Sequence, residues 1–165
     1  MVLTNSQLSA LQLFCSGENI LLLGDSGTGK STLISAFVQQ AEQSGKRVAK
    51  TASTGIAAQL IGGRTIHSLL RAYPGVRNEK IDYKEKAKNL DDVDVLIIDE
   101  ISMLGQFFVQ YLYNCLNCAS HHVQLVMSGD FFQLPPVKDG YAFLSPYWKL
   151  LNLIPCILTE EIRQK

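Results

Sequence analysis

The sequence predicts an α/β domain whose mainly parallel sheet is flanked by helices. Three observations carry this prediction. Short apolar runs alternate with amphipathic stretches along the chain, the order that builds a strand, a crossover helix and a parallel strand. The string Gly24-Asp25-Ser26-Gly27-Thr28-Gly29-Lys30-Ser31 falls between one such run and one such stretch, where a strand turning into a helix can hold phosphate. A further apolar run, Val95-Leu96-Ile97-Ile98, ends on the acid pair Asp99 and Glu100, which places both carboxylates at the strand edge where open α/β sheets gather ligands.

Asn19 to Leu23 reads as a buried strand running into the glycine-rich turn, and Ser31 to Gln43 then shows helical spacing through Leu33, Ile34, Phe37 and Val38. Further strands are predicted over 47–51, 94–98, 123–127 and 154–158, with a helix over 107–118. Between Arg71 and Asp92 lies a long charged insert, helical over its 83–90 part. No repeat, low-complexity tract, linker or second core interrupts residues 1–165, so a single domain is expected.

With 47% hydrophobic and 18% charged residues, the 165-residue chain has apolar material for a packed core of its own. No apolar run approaches the roughly 20 residues that span a bilayer, and no basic segment, apolar stretch and cleavage site open the chain. A soluble, unexported protein without a membrane partner is expected. Four unevenly placed cysteines suit a reducing compartment rather than a disulfide scaffold, with the cytoplasm, or the nucleus or mitochondrion of a eukaryote, as the expected location. The formal charge is zero, yet residues 28–90 hold eleven Lys/Arg against four Asp/Glu while residues 91–165 hold four against nine. That asymmetry fits a track for a polyanion, and it equally fits a solvated face of spread lysines.

The glycine-rich string fits GxxxxGK[ST] at a strand-to-helix junction, the context in which backbone N–H groups converge on phosphate oxygens. It assigns Gly27, Thr28, Gly29, Lys30, Ser31 and Thr32 to ATP. Lys30 would neutralise the outer phosphates and the Ser31 hydroxyl would ligate Mg²⁺. Asp99 would hold the water shell of that Mg²⁺, and Glu100 would orient and deprotonate the attacking water. Asp25 would repel a triphosphate unless it points to solvent, which is therefore expected.

Five further strings occur in order: Ala52 to Ala58 (ASTGIAA), Ile61 to Ser68 (IGGRTIHS), Asp99 to Met103 (DEISM), Gly129 to Pro136 (GDFFQLPP) and Leu158 to Gln164 (LTEEIRQ). Together they resemble the PIF-one and RecD type of superfamily 1B DNA helicases, over about residues 3–164. The resemblance implies the first, RecA-like motor domain of an ATP-dependent 5′ to 3′ helicase, an enzyme of DNA repair and recombination acting on single-stranded DNA. The same resemblance makes Gln7 an adenine reader, Gln133 a γ-phosphate sensor and Arg163 an arginine that reaches the γ-phosphate. It assigns DNA contacts to Ser53, Thr54, Gly55, Thr65 and His67. An exposed helix-start glutamine at position 7 and a structural histidine at position 67 are the plainer readings. A second motor domain of the same protein is the implied partner, the chain otherwise acting as a monomer. A nucleotide- and single-strand-binding module without turnover is the alternative function. Cys115, Cys118, His121 and His122 have the spacing of a metal site, against which stands a pair of inert thiols in an apolar helix.

Overall fold

The computed structural model describes residues 2–73, 80–133, 136 and 139–162. The first helix, α1 (Asn5–Cys15), starts at Thr4, whose hydroxyl accepts from the Gln7 N–H while the Gln7 side chain accepts from the Thr4 N–H, a reciprocal cap that satisfies two orphan donors. Strand β1 (Ile20–Gly24) follows, then α2 (Lys30–Gln43), β2 (Val48–Ala52) and the short α3 (Gly55–Leu60). A two-residue strand β3 (Arg64–Thr65), α4 (Ile66–Leu70) and α5 (Tyr83–Ala87) lead to β4 (Val95–Asp99), α6 (Gln106–Asn117), β5 (Gln124–Gly129) and β6 (Ile154–Leu158).

The strands form one sheet in the order β3-β2-β4-β5-β1-β6, with every neighbouring pair parallel. Helices cover both faces, which is why the strands read as continuous apolar runs rather than alternating ones. On one face Leu96, Ile98, Leu125 and Met127 pack against α4 and α6. On the other, Ile20, Leu22, Ile97 and Val126 pack against α1 and α2. Phe14 of α1 meets Phe37 of α2 edge to face at 5.2 Å, a geometry worth about 0.5–1.5 kcal/mol beyond the area it buries. This contact seats α1 beside the glycine-rich turn. Pro155 lies in β6, an outer strand of the sheet, where a missing N–H costs no ladder bond.

The five strands expected from sequence are present within one or two residues, and the charged insert is helical from Tyr83 as expected, ending in a tight turn over Lys88–Leu90. The sequence reading contained no α3, β3 or α4. Elements of two to six residues are too short to show a hydrophobic period. Thr54 caps α3 and Thr65 caps α4, each hydroxyl accepting a backbone N–H three residues on.

Candidate active site

The turn between β1 and α2 is built by glycines where a side chain would not fit. Gly27 and Gly29 lie in the left-handed region at φ 84° and 86°, and a Cβ on Gly24 would sit 2.8 Å from the Leu158 carbonyl oxygen of the neighbouring strand. Thr28 turns inward: it is buried, its hydroxyl donates to the Asp25 carbonyl at 2.8 Å, and its N–H points to the same oxygen at 3.3 Å. It braces the loop from beneath. Asp25 itself is exposed, as expected. The Lys30 ammonium donates to the carbonyls of Gly24 and, at 2.9 Å, Asp25, so the cation stands across the loop's mouth.

A cavity of about 380 Å³ opens above this turn. Gly27, Gly29, Lys30, Ser31 and Thr32 line one side, and Asp99, Glu100 and Gln133 the other. Asp99 ends β4, and its carboxylate accepts the Glu100 N–H at 2.9 Å. Glu100 has a left-handed backbone, φ 55° and ψ 48°. Its carboxyl is held above the usual carboxylate range, first by burial and then by the charges of Asp99 and Asp130, with Lys30 opposing. A group so tuned is a better base than an ordinary surface carboxylate. Gln133 is carried by a turn in which the Asp130 carboxylate accepts the Phe132 N–H and the Asp130 carbonyl accepts that of Gln133. Phe131 pins this turn, meeting Phe143 at 5.0 Å and Trp148 at 6.1 Å. A second cavity, about 450 Å³ between α2 and α3, shares Ser31, Asp99 and Glu100 with the first.

Gln7 is buried rather than exposed, with 1% of its surface accessible. Its amide joins the α1 cap to the loop, accepting the Thr4 N–H at 3.0 Å and donating to the Gly29 carbonyl at 3.3 Å. Arg163 lies outside the described residues. Its neighbour Ile162 lines the cavity and donates its N–H to the Gly27 carbonyl at 3.1 Å. Sequence reasoning missed both Ile162 and the Thr4 cap. The second was signalled by Thr4-x-x-Gln7 ahead of an apolar stretch; nothing in the sequence signalled the first.

Of the residues assigned to DNA, Thr54 lies just past the end of β2 and Thr65 ends the neighbouring β3, with Ala52 paired to Thr65. Each hydroxyl accepts a capping bond and retains its own proton to donate. Gly55 is exposed beside them. His67 is half-buried, its ring 4.7 Å from that of Phe108, and burial lowers its proton affinity. It is therefore a neutral ring near pH 7, not a counter-charge. The Ser53 hydroxyl points elsewhere, donating to the Glu100 carbonyl at 2.5 Å.

Among the described residues no group of three or more His, Cys, Asp or Glu is arranged to hold a metal. Cys115 is buried with its thiol pushed up to about 12 by desolvation, and His121 bonds the Val93 carbonyl at 2.7 Å. The described helices include none long and apolar enough to cross a membrane.

A phosphate-binding loop facing a strand-end acid pair across one cavity, on an all-parallel sheet, defines a P-loop nucleoside triphosphatase domain. Residues 2–148 match the family of AAA domains, and the chain belongs to it. Pif1 helicases are among the proteins it resembles. The ATP-dependent DNA helicase PIF1 of Saccharomyces cerevisiae is 36% identical over 99% of this chain, which covers 21% of that protein. The crystal structure of Pif1 helicase from Candida albicans superposes with a TM-score of 0.82 at 34% identity, over 100% of this chain and 41% of that one. Pif1 helicase from Bacteroides in complex with ADP-AlF3 and ssDNA gives 0.81 at 30% identity, over 100% and 44%. The chain thus spans less than half the length of the relatives it matches.

Proposed function

We propose that this chain is the first motor domain of an ATP-dependent 5′ to 3′ DNA helicase, coupling ATP hydrolysis to movement along single-stranded DNA. One observation carries the proposal. The cavity that collects Lys30, Ser31, Asp99, Glu100 and Gln133 lies at the same sheet edge as Thr54 and Thr65, so nucleotide and strand would meet a common set of loops. The Bacteroides relative, whose structure holds both an ADP-based analogue and ssDNA, supports the pairing.

Lys30 already stands at the loop mouth with its donors on carbonyl oxygens, and it exchanges them for phosphate oxygens when ATP enters. Ser31 and Asp99, on facing walls, offer the hydroxyl and carboxylate that suit Mg²⁺, an ion that keeps most of its water and takes few protein ligands. Mg²⁺ held there would neutralise charge on the outer phosphates. Glu100 takes the proton of the attacking water, Gln133 faces the γ-phosphate position, and the resemblance of LTEEIRQ gives Arg163 the part of a γ-phosphate arginine. Gln7 reads the adenine edge only by giving up its bond to the Gly29 carbonyl.

Lys30→Ala should weaken ATP binding about tenfold or more, since charge-assisted hydrogen bonds are worth ~1.5–3 kcal/mol. Calorimetry on the two proteins checks this, and equal affinities would remove Lys30 from the site. For DNA, contacts to about three phosphates predict a roughly twentyfold loss of affinity between 50 and 200 mM salt. Anisotropy of a labelled oligothymidylate measures it. Affinity that ignores both salt and a Thr65→Ala/His67→Ala double change would rule out this surface. Phosphate release stimulated by single-stranded DNA supports the motor; binding of both ligands without any stimulation would leave a binding module instead.

A further inference from the structure

We infer that Ser53 is a positioning residue for hydrolysis: its hydroxyl, bonded to the Glu100 carbonyl, holds the general base in its left-handed backbone conformation and ties it to the 54–55 turn. The inference rests on the helicase reading above and adds to it a route from strand to base.

Among the described residues, three other than glycine have positive φ: Arg71, Glu100 and Asn152. Arg71 and Asn152 follow helical turns as their C-caps, where a left-handed residue is ordinary. Glu100 instead precedes a turn, at Ile101–Met103, and a left-handed glutamate is strained. Strain of this kind persists only where the surroundings hold it. Here both flanking peptide groups are held. The Asp99 carboxylate takes the Glu100 N–H at 2.9 Å, and the Ser53 hydroxyl reaches the Glu100 carbonyl at 2.5 Å. The Ser53 N–H also donates to the Asp99 carbonyl at 3.1 Å, adding one contact beyond the last paired residues, Ala52 and Asp99.

Ser53 thus grips the peptides on both sides of Glu100. The next residue, Thr54, leaves the strand to cap α3. A strand of DNA that displaces the 53–55 turn therefore displaces the Glu100 carbonyl, and the rotation of that peptide re-aims the carboxylate into the cavity. The family strings place Ser53 on DNA; the geometry points to the base instead.

The test is single-turnover phosphate release by this chain, with and without oligothymidylate, alongside its affinities for ATP and the oligonucleotide. Ser53→Ala should lower the rate constant roughly ten- to a hundredfold, the cost of misplacing a reacting group by about 1 Å. Both affinities should stay within about twofold, and Ser53→Thr, which keeps the hydroxyl, should restore the rate. Ser53→Cys keeps the size with a weak donor and should behave as Ser53→Ala, which decides the matter if the alanine variant does not fold. Rates equal to the parent's in both the Ala and Cys variants would overturn the inference. So would a loss confined to oligonucleotide affinity, which would make Ser53 a DNA contact. Glu100→Gln is the separating control: if it alone abolishes turnover, the hydrolytic reading stands whatever Ser53 does, and if it leaves turnover intact, both readings fall.

Discussion

Glu100→Gln is expected to stop hydrolysis while ATP stays bound. The amide keeps the shape of the carboxylate and its place beside Ser31 and Asp99 but cannot take the proton of the attacking water, and a positioned general base contributes about 10²- to 10⁴-fold. Losing the negative charge next to Asp99 also removes a repulsion from the site, so triphosphate affinity should hold or rise. The same residue sets the pH dependence. Its pKa is raised, it works deprotonated, and so the rate climbs as pH rises through that raised pKa and is lost on the acid side earlier than for an exposed glutamate. Steady-state phosphate release across pH, with nucleotide binding followed separately, checks both points. A Gln variant with the parent's turnover would remove Glu100 from the chemistry.

Continuing this chain into a second motor domain is expected to raise DNA-stimulated turnover by about 10³- to 10⁵-fold, the range attributed to arginines supplied from a partner surface in phosphoryl transfer. The physical ground is the open side of the cavity. Gln133 on its wall is exposed, its neighbour Phe132 is 96% accessible, and Ile162 is 39% accessible. An exposed phenylalanine beside a charged nucleotide site is what a docking domain would cover. Phosphate release by the 165-residue chain and by a version carrying the second domain makes the comparison. Equal DNA-stimulated rates would show that the site is complete in one domain.

The sequence disclosed those parts of the fold and site that depend on spacing. The buried runs around Leu22, Ile97 and Val126 announced their strands because a sheet covered on both faces needs unbroken apolar segments. The glycine-rich turn and the Asp99–Glu100 pair announced their positions because each sits at the end of such a run. What stayed hidden depends on side-chain direction. Ser53 and Thr54 are adjacent hydroxyls in one string, yet one clamps the Glu100 carbonyl and the other caps a helix. Gln7 offered a polar side chain in a polar segment, and only packing of Phe14 on Phe37 brings it under Gly29. His67 could be read as a DNA contact or as structure, and the sequence does not show that its ring packs against Phe108.

The placement of β1 has a consequence for the order of events as the chain is made. This strand carries the nucleotide turn, but its partners are β5 and β6, with Ile20 beside Val126 and Ile154. A ribosome that has released residues 1–100 has emitted the turn and both acids, yet not one partner for the strand that supports the turn. Closing contacts this far apart in sequence is slow, and until it happens an unpaired apolar strand is a target for aggregation. Competence to hold ATP therefore comes late in biogenesis. Nucleotide that binds only the finished turn would pull the last strands into place by mass action, making the ligand a folding aid for its own site.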